Sequence, residues 1–300
     1  TRAMLSELPE GTYRFEDALD GDGIARGPVP IRVAITIRGG EMAVDFTGSA
    51  PAVRGSVNAV PAIVASAVSY AVRCLVGATL PVNHGVFAPL EIVVQPGSVL
   101  DPGPPHAVAG GNVETSMRVV DVLYGALAQA LPGAVPAASQ GTMNNLTFGG
   151  VDPYGVPFAY YETMGGGAGA GPRADGASGI HCHMSNTLNT PVEAFEFAYP
   201  MRITEYRLRD GSGGAGAARG GDGLIREIAF EAPTEVTLLT ERRRIAPWGL
   251  QGGEPGERGE NRLIRDGDEE SLPGKVRFMA DPGDRLSIRT PGGGGWGQPS

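Results

Sequence analysis

Apolar and polar positions alternate through the first fifty residues. Ile31 to Ile37 reads Ile-Arg-Val-Ala-Ile-Thr-Ile, turns at Arg38-Gly-Gly40 and resumes from Met42 to Phe46. A period of two broken by glycines predicts a β-hairpin. Before it, residues 1–20 read as a short acidic helix and a strand, Gly11 to Phe15, closed by the turn residues Asp20-Gly-Asp-Gly23. The period then lengthens. Ala59 to Val76 is small and apolar all round, which predicts a buried helix with Asn58 as its N-cap and Pro61 in its first turn. Leu90 to Val94 is a short strand. Met117, Val120, Leu123, Tyr124, Leu127 and Leu131 fall at helical spacing, so Glu114 to Leu131 is a second helix, stopped by Pro132-Gly133.

From Gly141 the pattern changes to short strands between glycine-rich stretches. Strands are expected at Leu146 to Phe148, Phe158 to Glu162, Arg202 to Leu208, Ile225 to Phe230, Glu235 to Leu239, Val276 to Met279 and Leu286 to Ile288. The stretch Gly165 to Gly179 reads as a long loop, a candidate lid or cleft lining. The fold class predicted is α+β: β-rich, with two main helices in the first half and an all-β C-terminal third. The expected division is an α+β portion over 1–200 with glycine-rich loops and a β-rich portion over 201–300, which can also form one continuous domain.

Composition narrows the function classes. The 300 residues carry 24 Lys+Arg against 33 Asp+Glu, a formal charge of −9. That balance argues against nucleic acid and anionic membranes as partners. The 47 Gly and 25 Pro show no Gly-X-Y period, so a collagen-like chain is excluded. Two cysteines, Cys74 and Cys182, cannot build a disulfide framework, and a reducing, cytoplasmic setting is expected. The apolar stretch from Asn58 to Arg73 is shorter than the ~20 residues of a spanning helix.

Five places could carry chemistry. His181 and His183 flank Cys182, and on a strand the two imidazoles would share one face. They could ligate a metal, handle protons, or simply be hydrogen-bonded in a polar strand; no third ligand lies near, so no metal site is assigned. Asn144 and Asn145 follow a glycine and can orient a carbonyl or close a turn, and Asn186 lies just past the histidines. Glu162 ends a strand beside the glycine stretch, where it is a general base or a plain strand-end carboxylate. Gly110-Gly-Asn112 enters a helix, as an anion site or an Asn112 cap. Arg242, Arg243 and Arg244 could grip an anion or form a solvated edge. Phosphate-loop, GxSxG and HExxH motifs are absent.

Several phrases taken together resemble the hydantoinase B / 5-oxoprolinase family. Among them are Asp45-Phe-Thr-Gly-Ser49, Gly110-Gly-Asn-Val-Glu-Thr-Ser116, Gly141-Thr-Met-Asn-Asn-Leu-Thr-Phe-Gly149, His183-Met-Ser-Asn-Thr187, Asn189-Thr-Pro-Val-Glu193, Tyr199-Pro-Met-Arg202 and Pro291-Gly-Gly-Gly-Gly-Trp296. The likeness runs in order over nearly the whole chain. It implies a share in ATP-dependent ring-opening hydrolysis of a cyclic amide of the hydantoin or 5-oxoproline type. The alternatives are a related ATP-dependent ketone carboxylase and a non-catalytic structural half. The family's B part is about twice as long, and its NDPYxGGTH and HHxDIGG stretches do not occur here. The resemblance therefore implies a C-terminal portion, inactive without the rest of the complex. Its partners would be a hydantoinase A-type subunit, the N-terminal half of the B-type subunit and a small lactam substrate. ATP and a divalent metal would be bound outside this chain. On that reading His181, His183 and Glu162 are the catalytic candidates, and Asn144, Asn145 and Asn186 the substrate contacts.

Overall fold

A computed structural model describes residues 1–77 and 83–299. The chain is a β-rich α+β protein that divides into two compact units, Thr1–Pro136 and Ala137–Ser300. The boundary expected at 200/201 runs through the second unit, because strands on either side of it pair in one sheet.

In the first unit, helix α1 (Arg2–Glu7) precedes strands β1 (Gly11–Leu19), β2 (Val29–Arg38), β3 (Glu41–Asp45) and β4 (Leu90–Val93), which form one sheet in that order. The inward positions of β2, Val29 through Ile37, are all buried, as the alternation requires. Helices α2 (Pro61–Val76) and α3 (Ser116–Ala130) pack on each other, and α3 also lies on β1 and β2. The approach is close at Gly125, where a methyl group would stand 2.5 Å from the Phe15 ring. Arg118 is buried in α3 between Asp17 at 2.9 Å and Asp121 at 3.1 Å. Burial holds the Asp121 carboxyl above its usual range, against the pull of Arg118.

Two expected caps are not made. The α2 N-cap is Val60 with Pro61 in the first position, while Asn58 binds Val53, Gly55 and Ala107 across a turn. Gly111–Thr115 forms a π-helical turn ahead of α3, with no side-chain cap from Asn112.

The second unit holds two antiparallel sheets. One has the order β12-β9-β5-β6, from β5 (Asn145–Val151), β6 (Pro157–Glu162), β9 (Thr234–Leu239) and β12 (Lys275–Ala280). The other has the order β11-β10-β13-β8-β7, from β7 (Met201–Arg209), β8 (Gly223–Phe230), β10 (Glu260–Arg265), β11 (Asp268–Leu272) and β13 (Arg285–Arg289). Helix α4 (Val192–Ala198) sends Phe195 into the apolar core they share.

The glycine-rich stretches are neither loops nor a lid. Segments around residues 137–140, 166–170, 176–177, 213–221, 248–256 and 292–297 lie side by side, hydrogen-bonded through their main chains. Gly293 donates to Gly221, Gly294 to Ala138 and Gly295 to Glu254. Consecutive residues thus face different neighbours. A methyl group on Gly292, Gly293, Gly294 or Gly295 would meet Ser212, Ala168, Trp248 or Ala215 oxygen at about 2 Å, at 1.9, 1.9, 2.1 and 2.1 Å respectively. Residues 292 and 295 face the same segment, 212–215. Every residue from 292 to 295 meets neighbouring main chain where a side chain would stand, and each is glycine.

Candidate functional site

The segment after the glycine lattice carries the paired histidines. It is irregular chain and not a strand: His183 has φ 55°, in the left-handed region, and turns the chain there. The expected sharing of one face by His181 and His183, with Cys182 opposite, therefore has no strand to rest on. Cys182 is buried, its thiol 3.9 Å from the Ile180 oxygen.

His181 is half-buried and held at both ring nitrogens. Nδ1 lies 2.5 Å from the Ser185 hydroxyl and Nε2 3.1 Å from the Thr187 hydroxyl. Burial lowers its pKa, while the Glu162 carboxylate opposes that shift. His183 has its Nε2 shut off from solvent, and burial pulls its pKa down to about 4. It is a neutral imidazole at pH 7, without the acidic second proton of the imidazolium.

Glu162 is no free strand-end carboxylate. It is buried, with Oε1 accepting the Thr190 N–H at 3.1 Å and Oε2 3.1 Å from Nε of Arg226. Around it the polar contacts are continuous. The Tyr160 and Thr190 hydroxyls are 2.6 Å apart; Asn189 donates to the Thr163 oxygen at 2.9 Å; the Thr163 and Thr187 hydroxyls are 2.7 Å apart. The last of these touches His181, so Glu162 and His181 belong to one network built by β6 and residues 181–190.

Asn144 and Asn145 belong to another. Asn144 donates to Gln140 at 2.8 Å and accepts from Arg243 at 2.6 Å, with φ 48°. Asn145 donates to the Leu239 oxygen at 2.7 Å and accepts from Tyr161 at 2.6 Å. Their amides are engaged within the protein. Asn186 is exposed beside His181. Of the arginine run, Arg242 is fully buried and bonds the Ala246 oxygen, and Arg243 cross-links Asn144 to Asn261. These two are internal braces, not a solvated edge.

Sequence reasoning passed over Arg226, Ser185, Thr187 and Asn189. Arg226 did leave a signal. Leu224, Arg226, Ile228 and Phe230 share the inner face of β8, so a charge stands where the pattern wants an apolar side chain.

The hydantoinase B/oxoprolinase family pattern matches residues 1–299. The chain belongs to that family. It is 47% identical over 287 residues to 5-oxoprolinase 1 of Arabidopsis thaliana, covering 95% of this chain and 22% of that protein. It is 32% identical over 314 residues to the B-type subunit of a putative D-/L-hydantoinase from a Pseudomonas species, covering 99% of this chain and 52% of that protein. Among solved structures, the ATP-dependent caprolactamase of Pseudomonas jessenii superposes with a TM-score of 0.88 at 27% identity, over 99% of this chain and 53% of that one. A nucleotide-free acetone carboxylase superposes at 0.86 with 19% identity over 99% of this chain and 46% of that one, a likeness of fold. The chain thus spans between about a fifth and a half of the length of these relatives.

The cofactors the resemblance implies do not find a cradle here. Among the described residues no three His, Cys, Asp or Glu side chains converge as metal ligands. In the glycine lattice the N–H groups of Gly214, Gly220, Gly221, Gly293, Gly294 and Gly295 are spent on neighbouring carbonyls and not directed at a phosphate. Among the described residues no helix is long and apolar enough to cross a membrane.

Proposed function

We propose that the chain is part of a hydantoinase B-like subunit that takes part in ATP-dependent, ring-opening hydrolysis of a cyclic amide of the hydantoin or 5-oxoproline type. Its setting is the cytoplasm. In this reading a hydantoinase A-type partner activates the amide oxygen with ATP, and the remaining part of the B-type subunit contributes any divalent metal. The observation that carries the local role is His181. Its ring is fixed by Ser185 and Thr187, and its lowered pKa keeps it unprotonated at neutral pH. Such an imidazole takes a proton, relayed through the hydroxyl that donates to its bare nitrogen, from the water whose oxygen bonds the amide carbon. It returns a proton to the ring nitrogen as the C–N bond breaks. Asn186, exposed between Ser185 and Thr187, is the proposed contact to the polar ring. His183 stays neutral and fixes the turn, and Glu162 acts on His181 from behind. The names of the relatives favour amide hydrolysis over ketone carboxylation, for which the support is a shared fold.

The assembled enzyme, with the A-type subunit and the rest of the B-type chain, is assayed with ATP, Mg²⁺ or Mn²⁺ and a panel of lactams. His181→Ala is expected to lower kcat by about 10²–10⁴-fold, with a stability loss of only about 1–2 kcal/mol for its two hydroxyl contacts. Full kcat in that variant would remove His181 from the chemistry. Turnover by this chain alone would overturn the reading of it as a part.

A further inference from the structure

Arg226 is the least expected residue in the second unit. It lies in mid-strand in β8 with its side chain wholly buried. Its guanidinium carbon lies 4.7 Å from the centre of the Tyr206 ring and 5.5 Å from that of Phe195. Its Nε stands 3.1 Å from Oε2 of Glu162. Among the described residues none of its nitrogens makes a well-directed hydrogen bond. A buried cation held so sparingly is costly, and an apolar residue of similar size would pack there at lower cost. The arrangement serves its one carboxylate partner. Glu162 in turn holds the Thr190 N–H, and Tyr206 on β7 donates to Asn189 at 3.2 Å. Both contacts fasten the far end of the segment that begins at His181.

We propose that Arg226 is a positioning residue: it holds the Glu162 carboxylate in place and, through Glu162, fixes the 181–190 segment and the setting of the His181 imidazole. Without the guanidinium, Oε2 loses its ion-pair partner and the carboxylate leaves the place from which it acts on His181. The field that opposes the effect of burial on His181 is then lost. The titratable groups facing Glu162 are Arg226 on β8, Tyr160 on β6, Tyr206 on β7 and His181 itself. Burial raises both tyrosines, so they stay neutral across the range in which a histidine titrates.

The inference rests on the reading of His181 as the proton-handling group, but its test does not need turnover. The His181 ring is followed by NMR through a pH titration of the chain and of Glu162→Gln, Arg226→Met and Arg226→Lys. Glu162→Gln and Arg226→Met are each expected to lower the His181 midpoint, by at least about 0.5 pH unit. The double variant should go no further than either single one, and Arg226→Lys should stay near wild type. A midpoint that is unchanged or raised in Arg226→Met would show that Glu162 keeps its place unaided, and would overturn the proposal. If Arg226→Met does not fold, the other two decide: an unmoved midpoint in Glu162→Gln, or a fully lowered one in Arg226→Lys, has the same effect. Failure of this titration leaves the His181 kinetics standing, and failure of those kinetics leaves the coupling measurable.

Discussion

Around Phe148, the rings of Phe158, Tyr160, Phe195 and Tyr199 stand at centroid distances of 5.0–6.3 Å, mostly edge to face. Around Gly293, in the same unit, the space is filled by main chain. The aromatic core gains its stability from apolar area and ring contacts. The lattice buries peptide groups, which is tolerable only because their N–H groups meet carbonyls on neighbouring segments or, as at Gly169 and Gly213, a side-chain oxygen. The two materials differ in how they respond to error. A core of side chains relaxes partly around a lost group. A lattice of backbones has no rotamers to adjust, so an added methyl group must move a whole segment.

That difference sets the largest expected effect. Gly293→Ala places a methyl group 1.9 Å from the Ala168 oxygen, against the main chain of Ala168 and Gly169. The loss in a urea unfolding experiment is expected to exceed about 4 kcal/mol, or the chain will not accumulate folded. Retention of wild-type stability would show that the lattice is loose. Phe148→Ala, the matching insult to the aromatic core, is expected to cost about 3–5 kcal/mol and to leave a folded protein. If Phe148→Ala proves worse than Gly293→Ala, the contrast in tolerance is wrong.

How much of this was legible in the sequence follows the same line. Wherever side chains carry the packing, periodicity showed it: α2, α3, the β2–β3 hairpin and β5 to β9 were read close to their observed bounds. The hairpin β10–β11 escapes the pattern because the charged Arg262, Glu269 and Glu270 interrupt the few apolar positions, Leu263, Ile264 and Leu272, and leave no run of alternation. In the lattice no side chain reports burial, so glycine there looks like glycine in a loop. At the site, His181 and Glu162 stood out as polar groups in suggestive places. Their partners Ser185, Thr187 and Thr190 are ordinary residues joined only by the fold.

The segment between the two materials offers a pH test. The folded pKa of His183, about 4, lies below the usual 6.5. Above pH 6.5 neither the folded nor the unfolded chain holds that proton, and no stability depends on it. As pH falls from 6.5 toward 4 the unfolded chain takes it up first, so stability is lost, by about 2 kcal/mol at pH 5. His181, lowered in the same direction, adds to the loss. Urea midpoints at pH 7.5 and pH 5 measure the sum, and His183→Gln should flatten the difference. An unchanged pH dependence in that variant would mean that the ring is solvated in solution.

The smallest effect is the sharpest control. Gly171 lies in the stretch 165–179 with Gly167 and Gly169, whose added methyl groups would meet Gly221 and Ala137 oxygens at 2.0 and 1.9 Å. Nothing stands within 4 Å of a methyl group on Gly171, and its φ lies outside the left-handed region. Its main chain still exchanges hydrogen bonds with Ala174. Alanine there restricts the unfolded chain without straining the folded one, and is expected to stabilise by about 0.4–1 kcal/mol. Gly167→Ala, four residues away, should destabilise by several times that amount. If glycine were present for flexibility, as in a lid, the two substitutions would behave alike. Opposite signs in paired thermal melts would show that each glycine is needed only where a neighbouring backbone occupies the place of its side chain.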